Sequence, residues 1–222
     1  RRAAIAALGI LLAAPATVLS GQTPRGRWLG TIRYDSLTVT FAADFNRRGD
    51  SLLVSFFNGD ERVTSTHSRR AGDSLIVSFA HLATELRLTV SDSLLSGEYG
   101  GRRAGIRPVE FRPASRTANS DRGAPHIDGL WLLPNETNKG EKSWRFVVQQ
   151  HGGRVAVTVL RVDGDAGLHT GEYRDGRWLL DHFDGSRASQ YEIVPQADRS
   201  LLVTIRAPRR SPLTLRAVRP DA

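Results

Sequence analysis

From Gly26 onward the chain alternates apolar and polar residues with a period of two, interrupted at short intervals by turn-forming dipeptides. Leu37, Val39, Phe41, Ala43 and Phe45 are apolar at every second position, so one face of that segment packs inward while the other meets water. Gly49-Asp50 ends it, and Leu52, Val54 and Phe56 form the next inward face. Asn58-Gly59 reads as the centre of a type I′ hairpin, where both residues need positive φ. Gly72-Asp73 introduces Leu75, Val77 and Phe79; Leu86, Leu88 and Val90 follow, Asp92-Ser93 turns into Leu94 to Tyr99, and Ile106 to Arg112 closes the series. About eight short strands fit into this stretch with no convincing amphipathic helix, which predicts an all-β antiparallel barrel or sandwich.

The second half repeats the first. Gly26-Arg27-Trp28 reappears as Gly129-Leu130-Trp131, Val39-Thr40-Phe41 as Trp144-Arg145-Phe146, and the segment 49–56 as 152–159. Asn58-Gly59-Asp60 matches Asp163-Gly164-Asp165, Leu75 to Phe79 matches Leu179 to Phe183, and Pro108 to Arg112 matches Pro212 to Arg216. The offsets stay between 103 and 105. The expectation is two tandem copies of one small module, 26–113 and 128–220, joined by a linker at 114–127. Glu61 to Arg70 and Ala166 to Arg174 diverge most between the copies and read as turns open to a partner.

Positions 1–20 read as a signal peptide: Arg1 and Arg2 precede the apolar run Ala3 to Ala14, Pro15 breaks it, and Val18 and Ser20 suit cleavage before Gly21. The run is shorter than the ~20 residues a membrane span needs, so no stable anchor is expected after cleavage. The missing initiator Met suggests a fragment at the N-terminus. The expected location is periplasmic or otherwise extracytoplasmic.

The composition narrows the chemistry. With 40% hydrophobic residues the 222-residue chain is too apolar to be disordered. It contains no Cys, which excludes a disulfide framework, a thiolate nucleophile, a CxxC centre and a thiolate-bound zinc. The net charge of +8 is spread along the chain without a dominant basic block, so nucleic-acid binding is not expected. The six histidines are scattered, and no cofactor or metal site is expected. Asp163 and Asp165 read as a hairpin turn, since the calcium-loop spacing does not continue through Gly167 and Leu168. His182 and Asp184 share one side of a strand as an acid/base pair would, but no GxSxG elbow supplies a nucleophile.

Each copy opens with G-x-W and closes with an Arg on its last strand, which resembles the signature of lipocalin-like (calycin) barrels. That resemblance implies that Trp28 and Trp131 lie at the closed ends of two barrels, stacked by Arg112 and Arg216 respectively through a cation–π contact. A wider resemblance runs over nearly all of 26–220. Phe56 to Thr66, Ala80 to Thr84, Gly140 to Phe146, Leu160 to Asp165 and His182 to Gly185 resemble the extracytoplasmic N-terminal region of TlpA-like thiol-disulfide oxidoreductases. The family's redox centre is a CxxC in a C-terminal thioredoxin domain, which the 222 residues do not contain, so no catalytic residue carries over. The resemblance implies a noncatalytic front portion whose partners are the thioredoxin domain of the parent chain or exported protein substrates. Two other classes compete with that scaffold: a lipocalin-like small-ligand binder, for which so short a barrel leaves little interior, and a hydrolase, for which no acid, base and nucleophile set converges.

Overall fold

The computed structural model describes residues 23–220 apart from 92, 103–104, 115–122, 163 and 165. The signal-peptide segment, most of the linker and the Asp163/Asp165 pair therefore lie outside the described residues. The described chain is all-β, with one 3-10 turn at Ala80–Leu82, and no helix in it is long and apolar enough to cross a membrane.

The alternating pattern of the first half becomes β1 (Gly26–Tyr34), β2 (Leu37–Arg48), β3 (Ser51–Asn58), β4 (Glu61–Thr64), β5 (His67–Ala71), β6 (Ser74–Phe79), β7 (Thr84–Val90), β8 (Leu95–Gly101) and β9 (Gly105–Pro113). All pair antiparallel in the order β4-β3-β2-β1-β9-β8-β7-β6-β5. The ends of this sheet meet because β4 and β5 form one bent segment that leaves β3 and joins β6. Ser65 N–H donates to Val54 O and Thr66 N–H to Ser78 O, both at 2.8 Å. Across the remaining gap the Val54 and Leu52 amides donate to Ser65 Oγ (2.9 Å) and Ser68 Oγ (3.1 Å), so two hydroxyls stand in for strand carbonyls.

The second half forms β10 (Gly129–Pro134), β11 (Ser143–His151), β12 (Arg154–Leu160), β13 (Ala166–Arg174), β14 (Arg177–Phe183), β15 (Ala188–Pro195), β16 (Leu201–Arg206) and β17 (Leu213–Ala217) in sequential antiparallel order. Leu132 and Val218 exchange backbone hydrogen bonds of 2.8 and 2.9 Å and close this barrel from β10 to β17. With β4 and β5 counted as one bent strand, the two barrels match strand for strand. Glu61 to Arg70 and Ala166 to Arg174 are thus corresponding strands rather than free turns, because each is needed to close its barrel.

Pairing fixes the repeat more sharply than the sequence match. Trp28 pairs with Ala43 and Trp131 with Phe146, so Phe146 corresponds to Ala43 and not to Phe41. Within β6 and β14 the inward residues are Leu75, Val77 and Phe79 against Trp178, Leu180 and His182, one residue out of step with the Leu75–Leu179 match. A shift of one residue would turn Leu179, which is exposed, into the core.

The first core is rich in Phe: Phe41, Phe45, Phe56, Phe79 and Phe111 are buried and meet largely edge to face. Each such ring contributes about 1.5–3 kcal/mol by leaving water. The second core is built around Trp131, Trp144, Trp178 and Phe146 with a valine layer from β11 and β12.

Candidate functional site

The barrels are interlocked by a hairpin. The turn between β14 and β15 carries Phe183 and Ala188 into the core of the first barrel, where Phe183 packs against Phe41, Phe56 and Tyr99. Buried Asn58 accepts from the Phe183 N–H through Oδ1 and donates to the Phe183 carbonyl through Nδ2, both at 2.9 Å. Tyr99 donates its hydroxyl to Gly185 O at 2.6 Å and also bonds Thr84 Oγ1 at 2.8 Å. Burial pushes the Tyr99 phenol far above its usual range, which keeps it a donor. On the outer rim Asp181 Oδ2 accepts from the Thr40 N–H and hydroxyl at 3.0 and 2.6 Å.

Asn58 acts here as a strand residue. It pairs with Glu61, so the two-residue loop is Gly59-Asp60, with positive φ at Gly59 alone (+57°). That corrects the type I′ reading to the pattern of a type II′ turn, which needs positive φ only at its first central residue. The shift frees the Asn58 side chain for the clamp.

Beside the interlock lies a cavity of about 500 Å³. Its base is formed by His169, His182, Ser189 and Tyr191 of the second barrel; Tyr34 and Arg107 of the first barrel and the turn Ala207–Arg210 contribute its sides. The first barrel is filled by its own aromatic rings and Phe183, whereas the second retains this space at its junction with the first. So short a barrel is expected to leave little interior, and the space lies where the two barrels meet, with Gly167 and Ala207 in the wall where larger residues would fill it.

The two histidines sit on neighbouring strands with ring centroids 5.0 Å apart, and His169 also stacks on Tyr191 at 3.9 Å. His182 Nδ1 lies 2.8 Å from Leu168 O, and its Nε2 lies 3.6 Å from Asp184 Oδ2. Burial pushes the His182 pKa down, but the Asp184 carboxylate and the Leu168 carbonyl outweigh it and raise the pKa. Asp184 is itself held well below the usual range: burial raises it, but His182 and the Ser186 and Arg187 amides prevail.

His169 is the opposite case. Burial and the charge of His182 hold it down to about 3, and the nearby Gly167 carbonyl offsets this only in part. Nε2 is 2.8 Å from Ser189 Oγ, while Nδ1 is buried without a partner in hydrogen-bond geometry. Ser189 and His169 thus resemble a nucleophile and base in distance only. The second nitrogen of His169 meets no carboxylate among the described residues, so the third group that orients the base of a catalytic triad is not in place there. Among the described residues no group of three or more His, Asp or Glu side chains assembles as a metal site.

Trp28 and Trp131 occupy equivalent buried places, each donating its indole N–H to a carbonyl just upstream, Arg25 O at 3.1 Å and Ile127 O at 2.8 Å. The structure does not bring Arg112 or Arg216 to them. Arg112 pairs with exposed Leu29 on the outer face of β9 and approaches Glu110 at 3.8 Å; Arg216 bonds Asp198 and Ser200. The physical reason is strand alternation: both arginines follow inward residues, Phe111 and Leu215, and so point outward. The guanidinium over Trp131 belongs to Arg219, 3.9 Å from the ring and in phase with inward Ala217.

A second buried anchor joins Gly140–Phe146 to Leu160–Val162. Glu141 accepts from Trp144 Nε1 (2.8 Å), Val162 N–H (2.9 Å) and Arg161, whose guanidinium also lies 4.3 Å from the Trp144 ring centroid. Burial raises the Glu141 pKa, but these donors outweigh it and keep the carboxylate ionised.

Comparisons with protein-family models, with curated proteins and with solved structures found no match to this chain.

Proposed function

We propose that the two-barrel unit is a noncatalytic small-molecule-binding module, with its ligand in the cavity over His169, His182 and Tyr191. The observation that carries this reading is the cavity itself. Its volume of about 500 Å³ falls in the ordinary range of ligand sites, and it combines aromatic walls with several convergent donors. Both barrels contribute to it, so a bound molecule also contacts the joint between them. Ala207→Trp, placed in the cavity wall, is expected to abolish binding of small organic molecules seen as NMR shifts at Tyr34, His169 and Tyr191. Shifts that persist with the tryptophan in place, in a protein of unchanged melting temperature, would defeat the reading.

A second reading is supported by the resemblance to TlpA-like oxidoreductases and by where its residues lie. Phe56 to Thr66 and His182 to Gly185 meet at the Asn58–Phe183 clamp, and Gly140 to Phe146 meets Arg161 and Val162 at Glu141. Those segments rigidify the unit, as a scaffold holding a redox domain near exported protein substrates requires. The chain has no Cys and thus no thiol-disulfide exchange of its own. Fusing it to a thioredoxin-fold domain should accelerate reduction of an exported protein substrate; equal rates with and without the unit would remove the scaffold role.

A further inference from the structure

We infer that the cavity takes a small molecule bearing an oxyanion, a carboxylate or a phosphate ester, and holds its charged end with Arg209, Arg210 and Arg107. The inference rests on the ligand-binding reading above and adds the chemical class.

Among the described residues, five arginines and two histidines line the cavity and no aspartate or glutamate does. Two of those arginines are already balanced: Arg161 by Glu141 at 2.9 Å and Arg187 by Asp184 at 3.2 Å. The other three have no carboxylate partner among the described residues. Arg209 and Arg210 are exposed and their guanidinium groups make no hydrogen bond or ion pair there. Arg107 donates only to the Ile106 carbonyl, lies 5.6 Å from the Tyr34 ring centroid, and leaves its Nε buried without a partner. Four buried polar side-chain atoms lack partners among the described residues, and two of them, Arg107 Nε and His169 Nδ1, belong to residues of this one cavity.

The turn that presents the arginines is also informative. Arg209 sits at φ +60°, a conformation that favours Gly or Asn, so local backbone preference does not account for an arginine there. Three unbalanced guanidinium groups at a partly enclosed site attract an anion, and the planar fork of each fits two oxygens of a carboxylate or phosphate. Tyr34, half-buried in the cavity wall, supplies a ring for an apolar or aromatic body to pack on, while Tyr191 and His169 stack on each other beneath it.

Calorimetric titration of the protein with phenyl phosphate, benzoate and benzyl alcohol at low salt tests this. Both anions are expected to bind at least about tenfold more tightly than the neutral alcohol, and the tighter of the two identifies phosphate or carboxylate. Arg209→Gln/Arg210→Gln should weaken the anions about tenfold or more, leave the alcohol unchanged and leave the melting temperature unchanged. If the alcohol binds as tightly as the anions, or if the double variant binds the anions normally, the anion assignment falls while a site closed by Ala207→Trp stands. Failure of all three probes to bind, or binding indifferent to Ala207→Trp, overturns the site as well.

Discussion

The side-chain amide of Asn58 satisfies both backbone groups of Phe183, a residue 125 positions away in the other barrel, through two hydrogen bonds of 2.9 Å. An amide is the side chain suited to this task, since it carries a donor and an acceptor side by side. The pair lets a hairpin backbone enter the Phe-rich mouth of the first barrel without losing its hydrogen bonds.

Replacing Asn58 by Ala strands a buried N–H and a buried carbonyl, each costing about 1–3 kcal/mol. The expected outcome in urea denaturation is a loss of about 2–5 kcal/mol and separation of one unfolding transition into two as the barrels uncouple. An unchanged midpoint would show that the clamp is not what joins them.

Gly185 follows at the tip of the same hairpin, at φ +84°, where a Cβ would come within 2.7 Å of Leu82 Cδ1 and 3.0 Å of the Tyr99 hydroxyl. Gly185→Ala therefore combines backbone strain with a clash and should destabilise by about 2–4 kcal/mol. Gly176→Ala, at φ +81° with open space around it, should lose only about 1 kcal/mol. Thermal unfolding of the two variants side by side separates strain from contact.

At the base of the second barrel, Trp131→Ala is expected to cost about 3–5 kcal/mol through the cavity it leaves. Arg219→Ala should cost about 0.5–2 kcal/mol by removing the stacked guanidinium. Arg216→Ala, which breaks an exposed pair with Asp198, should cost under about 1 kcal/mol. Chemical denaturation that ranked Arg216 above Arg219 would contradict the assignment of the stacking residue.

The pH dependence has a definite sign. His169 titrates near 6.5 when unfolded but near 3 in the folded barrel, so between those values the unfolded state binds the extra proton. Stability should fall on acidification through that window, by at most about 1.4 kcal/mol per pH unit. The raised pKa of His182 acts oppositely: its contribution is present below 6.5 and is lost as pH rises through its folded value. Asp184, held low, contributes above 3.8 and loses that contribution as pH falls through its folded value. Unfolding free energies measured from pH 7 to 4 should show a shallower acid limb in His169→Gln than in the parent; superimposable limbs would reject His169 as its source.

Period-two alternation alone determined the strands, because a half-buried strand must place every second side chain in the core, and Leu37 to Phe45 do so without exception. The internal repeat determined that there are two barrels, and the burial of both G-x-W tryptophans belongs to that shared plan. Strand phase was also legible: Arg112 and Arg216 are out of step with inward Phe111 and Leu215, whereas Arg219 is in step with Ala217. What the sequence could not determine is everything that depends on contact between distant segments. Asn58 reads locally as a turn residue, and only the arrival of Phe183 makes it a clamp. His169 and His182 read as scattered until hairpin pairing sets their rings side by side. Arg107, Arg209 and Arg210 lie in unrelated turns and strands, and the tertiary structure alone decides that they border one cavity, since local pattern governs which face a side chain takes but not which barrel it meets.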